Sequence, residues 1–372
     1  MGKNDRTEEK AMTKNERRAL LLIEANPLIT PETIAGKLGL PFSDAEALIR
    51  GLIAQGCIQG RGFVLAGGSY AVVIGGVNMD ICGTAFAPLV AEDSNPGRVS
   101  YSLGGVGRNI AHNMSLLGMD VRMLTAYGDD TNGEHIAASC SELGIDVSHA
   151  KVVPGGTTPT YLYLTGPDGN MALAVNDMDI CREISPAYLA ANLPLINRAQ
   201  LIIADANIPA ESLAYLADRC SVPIFCDPVS TVKAEKLRPI LEKIHTLKPN
   251  RLEAQLLSGV EIRTPEDAEK AGRVLLDAGM HRVFISMGAD GVMAVTREGD
   301  LFLPNLPGKL VNTTGCGDAF MAGLAFAYLE GSGLRNSALA GLAAASLAAE
   351  SRETINSALS ADALRARMAL AK

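Results

Sequence analysis

The chain contains no tryptophan, only 8 Tyr and 8 Phe, and no apolar run that approaches the length of a membrane span. The last of these absences excludes a membrane-spanning helix. Positive charge is scarce too: 33 Lys and Arg stand against 41 Asp and Glu, and the net charge of −8 argues against a nucleic-acid surface spread over the whole molecule. The 7 cysteines are odd in number, scattered and without metal-ligand spacing, so free thiols in a reducing compartment are expected rather than a zinc site or a disulfide framework. Residues 1–18 are polar and mixed in charge, with none of the features of a secretory signal, and a cytoplasmic location is the expectation. Glycine is what the chain has in plenty, with 37 residues in a composition that is 48% hydrophobic and 20% charged. This is the make-up of a glycine-rich α/β enzyme, and 372 residues suffice for two unequal domains.

The texture changes near Gly67-Gly68-Ser69. Residues 1–66 read as a small domain of three short helices, 15–25, 31–40 and 43–55, after an opening stretch of about 12 residues too polar to pack. Thr30 is placed as an N-cap with Pro31 at the first helical position, and Ser43 with Glu46 as a capping box. Leu20, Leu21, Ile23, Ile34, Leu38, Leu48 and Leu52 can fill one core, and the glycine-flanked segment 56–65 can form a β-wing. The pattern resembles a winged helix-turn-helix domain with 43–55 as recognition helix, which implies DNA as a partner. The charge suits phosphate poorly, since Asp44 and Glu46 stand against Arg50, with Arg17, Arg18, Lys37 and Arg61 flanking. An assembly or protein-contact module is the alternative.

Residues 69–372 alternate short apolar runs with amphipathic segments. The runs 70–77, 201–205, 223–227 and 282–286 read as strands of a mainly parallel sheet; 106–117, 133–143, 210–219, 265–278 and 317–330 read as helices on both its faces. Ligands in such sheets sit beyond the carboxyl ends of the strands, which makes Asn78, Asp80, Asp205, Asn207, Asp227 and Ser286 cleft candidates. Segments 160–165 and 171–177 form a hairpin about a turn rich in Gly, Pro and Asp. With the extended segment 82–102 they predict a small β lid, from about 82–102 and 157–177, that shuts water out of the cleft.

In Asn312-Thr313-Thr314-Gly315-Cys316-Gly317-Asp318-Ala319-Phe320 a glycine turn opens a helix with a carboxylate just inside. The free backbone N–H groups at Gly315, Cys316 and Gly317 make an anion hole. Asp318 then accepts a proton from an attacking hydroxyl while those N–H groups stabilise the transferred group. A thiol at a helix N-terminus, as at Cys316, is expected to have a lowered pKa. The plain alternative is an Asp that begins an ordinary helix.

Four motifs in order resemble the ribokinase-like (PfkB) family of carbohydrate and nucleoside kinases. They are Asn78-Met79-Asp80, Gly104-Gly105-Val106-Gly107-Arg108-Asn109, Asn250-Arg251-Leu252-Glu253, and Thr313 to Asp318. The resemblance implies a doubly wound, mainly parallel sheet with a small β lid, ATP as donor, Asp318 as general base, and Asn250 with Glu253 organising Mg2+ and its waters. Asn78, Asp80, Gly104, Gly105 and Asn109 would hold the sugar, with Asp80 accepting from a pair of hydroxyls; turn capping is the alternative for Asp80 and Asn109, and a capping arrangement is likewise the alternative for Asn250 and Glu253. Ser286, Gly288 and Gly291 resemble the family's nucleotide loop, or a plain Asp-Gly turn. The family often has Asp at a monovalent-cation site where this chain has Asn312, which weakens the expectation of K+ dependence. Family lids often pair, so a homodimer is implied.

A narrower resemblance, to the pseudouridine kinases of bacteria, rests on Ala91-Glu92-Asp93-Ser94-Asn95-Pro96-Gly97, Val175-Asn176-Asp177-Met178, Asp227-Pro228-Val229-Ser230 and Leu247 to Ala254. It implies phosphorylation of the 5′-hydroxyl of pseudouridine. Asp93, Ser94, Asn95 and Asn176 are lid groups able to read a uracil whose C-glycosidic linkage exposes an extra N–H, or else simple loop formers. Another nucleoside such as inosine or adenosine, a sugar such as ribose or fructose, and a DNA-binding regulator that senses ligand through a kinase fold stay open as alternatives.

Overall fold

The computed structural model describes residues 13–26, 29–54, 57–58 and 70–371. They fall into two units, one within 1–68 and one within 69–372. In the first unit the helices Lys14–Ala25, Pro31–Leu38 and Phe42–Ala54 bury Ala19, Ile34, Ile49 and Leu52 in a core of their own. Thr30 Oγ1 accepts from the Thr33 N–H at 3.2 Å, with Pro31 at the first position. The capping box expected at Ser43 is not formed. That helix starts at Phe42, which puts Ser43 inside the first turn, where its hydroxyl donates to Asp44 at 3.2 Å. The opening stretch, the boundary at 67–69 and, apart from Cys57 and Ile58, the wing at 56–65 lie outside the described residues.

The second unit runs, among the described residues, through β1 (Tyr70–Ile74), β2 (Asn78–Ala85), β3 (Gly97–Gly104), β4 (Asp120–Leu124), β5 (Ala126–Gly128), β6 (Ile145–Asp146), β7 (Lys151–Val153), β8 (Thr160–Thr165), β9 (Met171–Asp177), β10 (Leu201–Asp205), β11 (Ile224–Asp227), β12 (Thr246–Leu247), β13 (Arg282–Ser286), β14 (Val292–Thr296) and β15 (Gly299–Leu303). Nine of them form one sheet in the order β15-β14-β13-β12-β11-β10-β1-β4-β6. All of its pairings are parallel except those of β14.

Burial on both faces explains the uninterrupted apolar runs. In β1, Ala71 and Val73 enter a core shared with helices Val106–Leu116, Cys316–Leu329 and Leu334–Ala349. Tyr70, Val72 and Ile74 enter the opposite core, shared with Ala210–Arg219, Arg251–Ser258 and Pro265–Asp277. Alternate side chains of a strand point to opposite faces, so a strand between two helical layers has no polar face. The sheet is doubly wound.

A second sheet, in the order β3-β2-β8-β9, is built from the segments expected to make the lid. Its β8–β9 hairpin has the expected bounds. The segment 82–102 is not one extended piece: β2 and β3 pair antiparallel, and residues 86–96 form the loop between them. Asn78 and Asp80 accordingly do not end the first strand. They open β2, the first strand of the lid, where Asn78 pairs with Gly104 and Asp80 with Ser102.

Candidate active site

Five neighbouring parallel strands end side by side. The chain leaves β1 at Gly75-Gly76, β10 at Asp205, β11 at Asp227, β12 at Lys248 and β13 at Ser286. Above them starts the helix Cys316–Leu329, whose N-cap Gly315 has φ 81°. A Cβ on Gly315 would meet Thr354 O at 2.3 Å, so this turn is open to glycine alone. Gly317 is exposed at this helix start, whereas the Cys316 N–H, expected to be free, donates to Thr313 O at 3.3 Å and so is not an open donor of the anion hole.

Asp318 keeps part of its surface open to that cleft while protein surrounds it elsewhere. Its Oδ2 accepts from Asn109 Nδ2 at 2.9 Å. Burial first, and then the charge of Asp227, push its pKa up to about 7, against the Asn109 hydrogen bond and Lys248. A carboxyl group poised near neutrality suits a general base. Asn109 Oδ1 is buried without a partner, so an acceptor next to the base awaits a donor such as a substrate hydroxyl.

Lys248 is the site residue that motif reading passed over. It is buried, and its Nζ pairs with the buried Asp227 Oδ2 at 3.1 Å. Burial disfavours the ammonium, yet Asp227, Glu253 and Asp318 hold its pKa above the ordinary lysine value. A Cβ on Gly317 would lie 3.2 Å from Nζ, which places this charge against the anion hole. The available signal was the adjacency of Lys248 to Pro249-Asn250 at a strand end.

Asn250 and Glu253 form a capping box: Glu253 Oε2 accepts from the Asn250 N–H at 2.8 Å, and Asn250 Oδ1 from the Glu253 N–H at 3.0 Å. Glu253 is buried, which raises its pKa, whereas Asn250 is exposed. Among the described residues no three His, Cys, Asp or Glu side chains make a metal cage. Even so, Asp227, Glu253 and Asp318 set three carboxyl groups around the ammonium of Lys248. That excess of negative charge fits a hard divalent cation that keeps most of its waters, with Glu253 as the carboxylate beside it.

On the lid side, Asn78 Nδ2 donates to Asp80 Oδ1 at 2.5 Å. Burial raises the Asp80 pKa, with Asn78 and then Arg108 opposing it. A Cβ on Gly104 would meet Asp80 Oδ2 at 2.3 Å, and Gly105, at φ 98°, turns the chain into the helix that carries Asn109. Arg108, also unforeseen, is buried and donates to Leu103 O at 3.3 Å and Ser139 Oγ at 2.8 Å, which ties the root of β3 to the main domain.

Most of the remaining candidates spend their polar groups on neighbouring protein atoms. Asn95 spends its amide on its own loop, accepting from the Val90 N–H at 2.8 Å and donating to Val90 O at 2.9 Å and Asp93 O at 3.0 Å. Ser94 is exposed beside it, and Asn176 lies on β9 opposite Tyr161. Asn207 Oδ1 accepts from Lys233 Nζ at 2.5 Å. Ser286 donates its N–H to Pro249 O at 3.0 Å, and Gly288 (φ 62°) and Gly291 (φ 124°) shape the turn after it. Asn312 uses both ends of its amide on the loop, toward Arg352 O and the Thr314 N–H. The lowered pKa expected for Cys316 is not found: burial and then the charge of Asp318 raise it.

This geometry agrees with the comparisons with known proteins. The model of the pfkB family carbohydrate kinases matches residues 69–361. The chain belongs to that family. As a pfkB kinase it is an ATP-dependent phosphotransferase, and 40% of its residues are identical to Escherichia coli pseudouridine kinase over 293 residues, 78% of this chain and 94% of that protein. An uncharacterized sugar kinase of the same organism is 37% identical over 355 residues, 94% of this chain and 98% of its own. The pfkB fold is shared with Arabidopsis thaliana ribokinase, solved with ribose and ATP, at a TM-score of 0.74 and 21% identity over 81% of this chain and 99% of that one. No helix among the described residues is long and apolar enough to cross a membrane.

Proposed function

We propose that the protein transfers the γ-phosphoryl group of ATP to the 5′-hydroxyl of pseudouridine, forming pseudouridine 5′-phosphate. The observation that carries the chemistry is Asp318, held by Asn109 at the mouth of a glycine-opened helix with a pKa near 7. The 40% identity to a pseudouridine kinase supports the acceptor.

Asp318 takes the proton of the attacking hydroxyl, and Asn109 fixes which carboxylate oxygen faces it. The N–H groups of Gly315 and Gly317, with the Lys248 ammonium behind them, stabilise charge on the phosphoryl group in flight. Asp80 and Asn78 hold ribose hydroxyls above Gly104 and Gly105. Ser94 and Asn176 face the base from the lid, Asn95 keeps the loop in shape, and Asn207 reads from the floor. Ser286, Gly288 and Gly291 border the nucleotide. Mg2+, held beside Glu253 and Asn250, would supply positive charge to the phosphate oxygens. The outer lid face pairs with a second copy of the chain.

The regulator reading has no comparable residue-level support on the third helix, where Arg50 stands with Asp44 and Glu46 and pairs with the latter at 3.4 Å. Radiolabelled ATP incubated with pseudouridine, uridine, inosine, adenosine, ribose and fructose tests the proposal. Pseudouridine is expected to be labelled fastest; preferential labelling of another acceptor overturns the substrate assignment, and no labelling overturns the catalytic one.

A further inference from the structure

Lys233 and Lys236 have no part in the chemistry above, yet both ammonium groups converge on three residues just past β10. Lys233 Nζ donates to Asn207 Oδ1 at 2.5 Å, while Lys236 Nζ donates to Ala206 O and to Ile208 O, each at 3.0 Å. Asn207 thus lies between two anchored carbonyls with its own side-chain oxygen anchored as well.

The lysines reach it through a costly turn. Val229 has φ 65°, a conformation that β-branched residues rarely adopt, and its N–H is held by Asp227 Oδ1 at 2.8 Å. Ser230 then caps the short helix Thr231–Ala234 that carries Lys233.

An ammonium offers only hydrogens, so it decides which end of an amide turns toward it. With Oδ1 taken, Asn207 presents Nδ2 elsewhere. Asp205 accepts one of the two Nδ2 hydrogens, which disfavours the reverse flip and leaves the second hydrogen for another acceptor. Nδ2 lies on the side of Gly76 and Met178: a Cβ on Gly76 would be 3.2 Å from Nδ2 and 2.9 Å from Met178 Cε. Met178 directly follows β9, so here the end of the lid meets the floor of the cleft.

We propose that Lys233 and Lys236 are positioning residues that hold Asn207 with the amide hydrogen not taken by Asp205 toward the cleft, so that the pocket reads a carbonyl oxygen of the nucleobase and rejects an amino group in its place. The proposal rests on the reading of the cleft as a uracil-nucleoside pocket. A fixed donor facing an amino group leaves both donors unpaired, which a desolvated site penalises heavily.

The test measures kcat/KM of the full chain for pseudouridine, pseudocytidine and pseudoisocytidine, the last two replacing one carbonyl or the other by an amino group. The wild type is expected to prefer pseudouridine over at least one of them by about tenfold or more. Asn207→Asp keeps an acceptor for Lys233 but replaces the N–H donor by oxygen, and is expected to cut that ratio about tenfold or reverse it. Lys233→Met is expected to lower it and Lys233→Arg to restore it. Each ratio compares two substrates on one enzyme, so loss of folded fraction cancels. Equal use of the three nucleosides by the wild type, or a ratio untouched in both Asn207→Asp and Lys233→Met, overturns the proposal. A wild type that phosphorylates no uracil nucleoside overturns the underlying substrate reading, and the proposal with it.

Discussion

Asn109 Nδ2 donates to Asp318 Oδ2 at 2.9 Å, joining two helices whose contact residues stand 209 positions apart. The bond favours the ionised carboxylate, whereas burial and Asp227 disfavour it, and the balance lies near pH 7. A base must be deprotonated to act, so kcat/KM is expected to fall as the pH drops below about 7. Asn109→Ala removes an interaction that lowers the pKa, so the acid limb moves to higher pH. Asp318→Asn lowers kcat by about 10²–10⁴-fold while nucleotide binding by calorimetry persists. An Asp318→Asn enzyme with near-normal turnover removes Asp318 from the base role.

Lys248 and Asp227 form a pair in which each side chain is less than a tenth exposed. Removal of one member strands the other charge, at a cost of roughly 3–5 kcal/mol. Lys248→Met is therefore expected to shift the urea midpoint strongly downward, and Lys248→Met with Asp227→Asn to recover much of the loss. The single variant also raises the Asp318 pKa further, because Lys248 opposes that rise. Equal stability of the two variants would show that the pair is not electrostatically coupled.

Most of the fold was legible because its signals are local. The apolar runs of β1, β10, β11 and β13 are strands buried on both faces, and Asn109, Asp318 and the Asn250–Glu253 box sit where motif spacing put them. What the sequence hid depends on neighbours far along the chain. Lys248 acquires its meaning from Asp227 and Gly317, Arg108 from Leu103 and Ser139, and Asn207 from Lys233. Asp80 was assigned to a strand end because the switch from main sheet to lid takes only three residues, 75–77.

Cys316 shows how burial overturns a local rule. A helix N-terminus lowers a thiol pKa, but desolvation and the adjacent Asp318 raise this one. Alkylation by iodoacetamide is expected to reach the exposed Cys57 before Cys316, and the Cys316 rate to climb between pH 7 and pH 9. ATP should slow the Cys316 reaction through its position in the anion hole. Mass spectrometry of labelled peptides reads all three effects, and rapid labelling of Cys316 at pH 7 contradicts the raised pKa.

The lid presents two apolar rows to solvent. Register pairs Tyr101 with Ile81, Ile81 with Leu162 and Leu162 with Val175, and in the next row Val99 with Gly83, Gly83 with Leu164 and Leu164 with Leu173. Paired residues share a face of the sheet, and Val99, Tyr101, Leu162, Leu164, Leu173 and Val175 are 38–69% exposed. The alternate positions, with Asp80, Tyr161 and Asn176 in one row, form the opposite face. A sheet with an apolar outer face and a polar inner one is stable in water when the outer face is covered, and a second lid offers an equal and complementary surface. Sedimentation of the wild type is expected to give a dimer. Tyr101→Asp with Leu173→Asp places two charges in the middle of each rows' surface and is expected to give monomers, with a higher KM for the nucleoside because the lid loses its support. A wild-type monomer at micromolar concentration, or a double variant that stays dimeric, places the contact elsewhere.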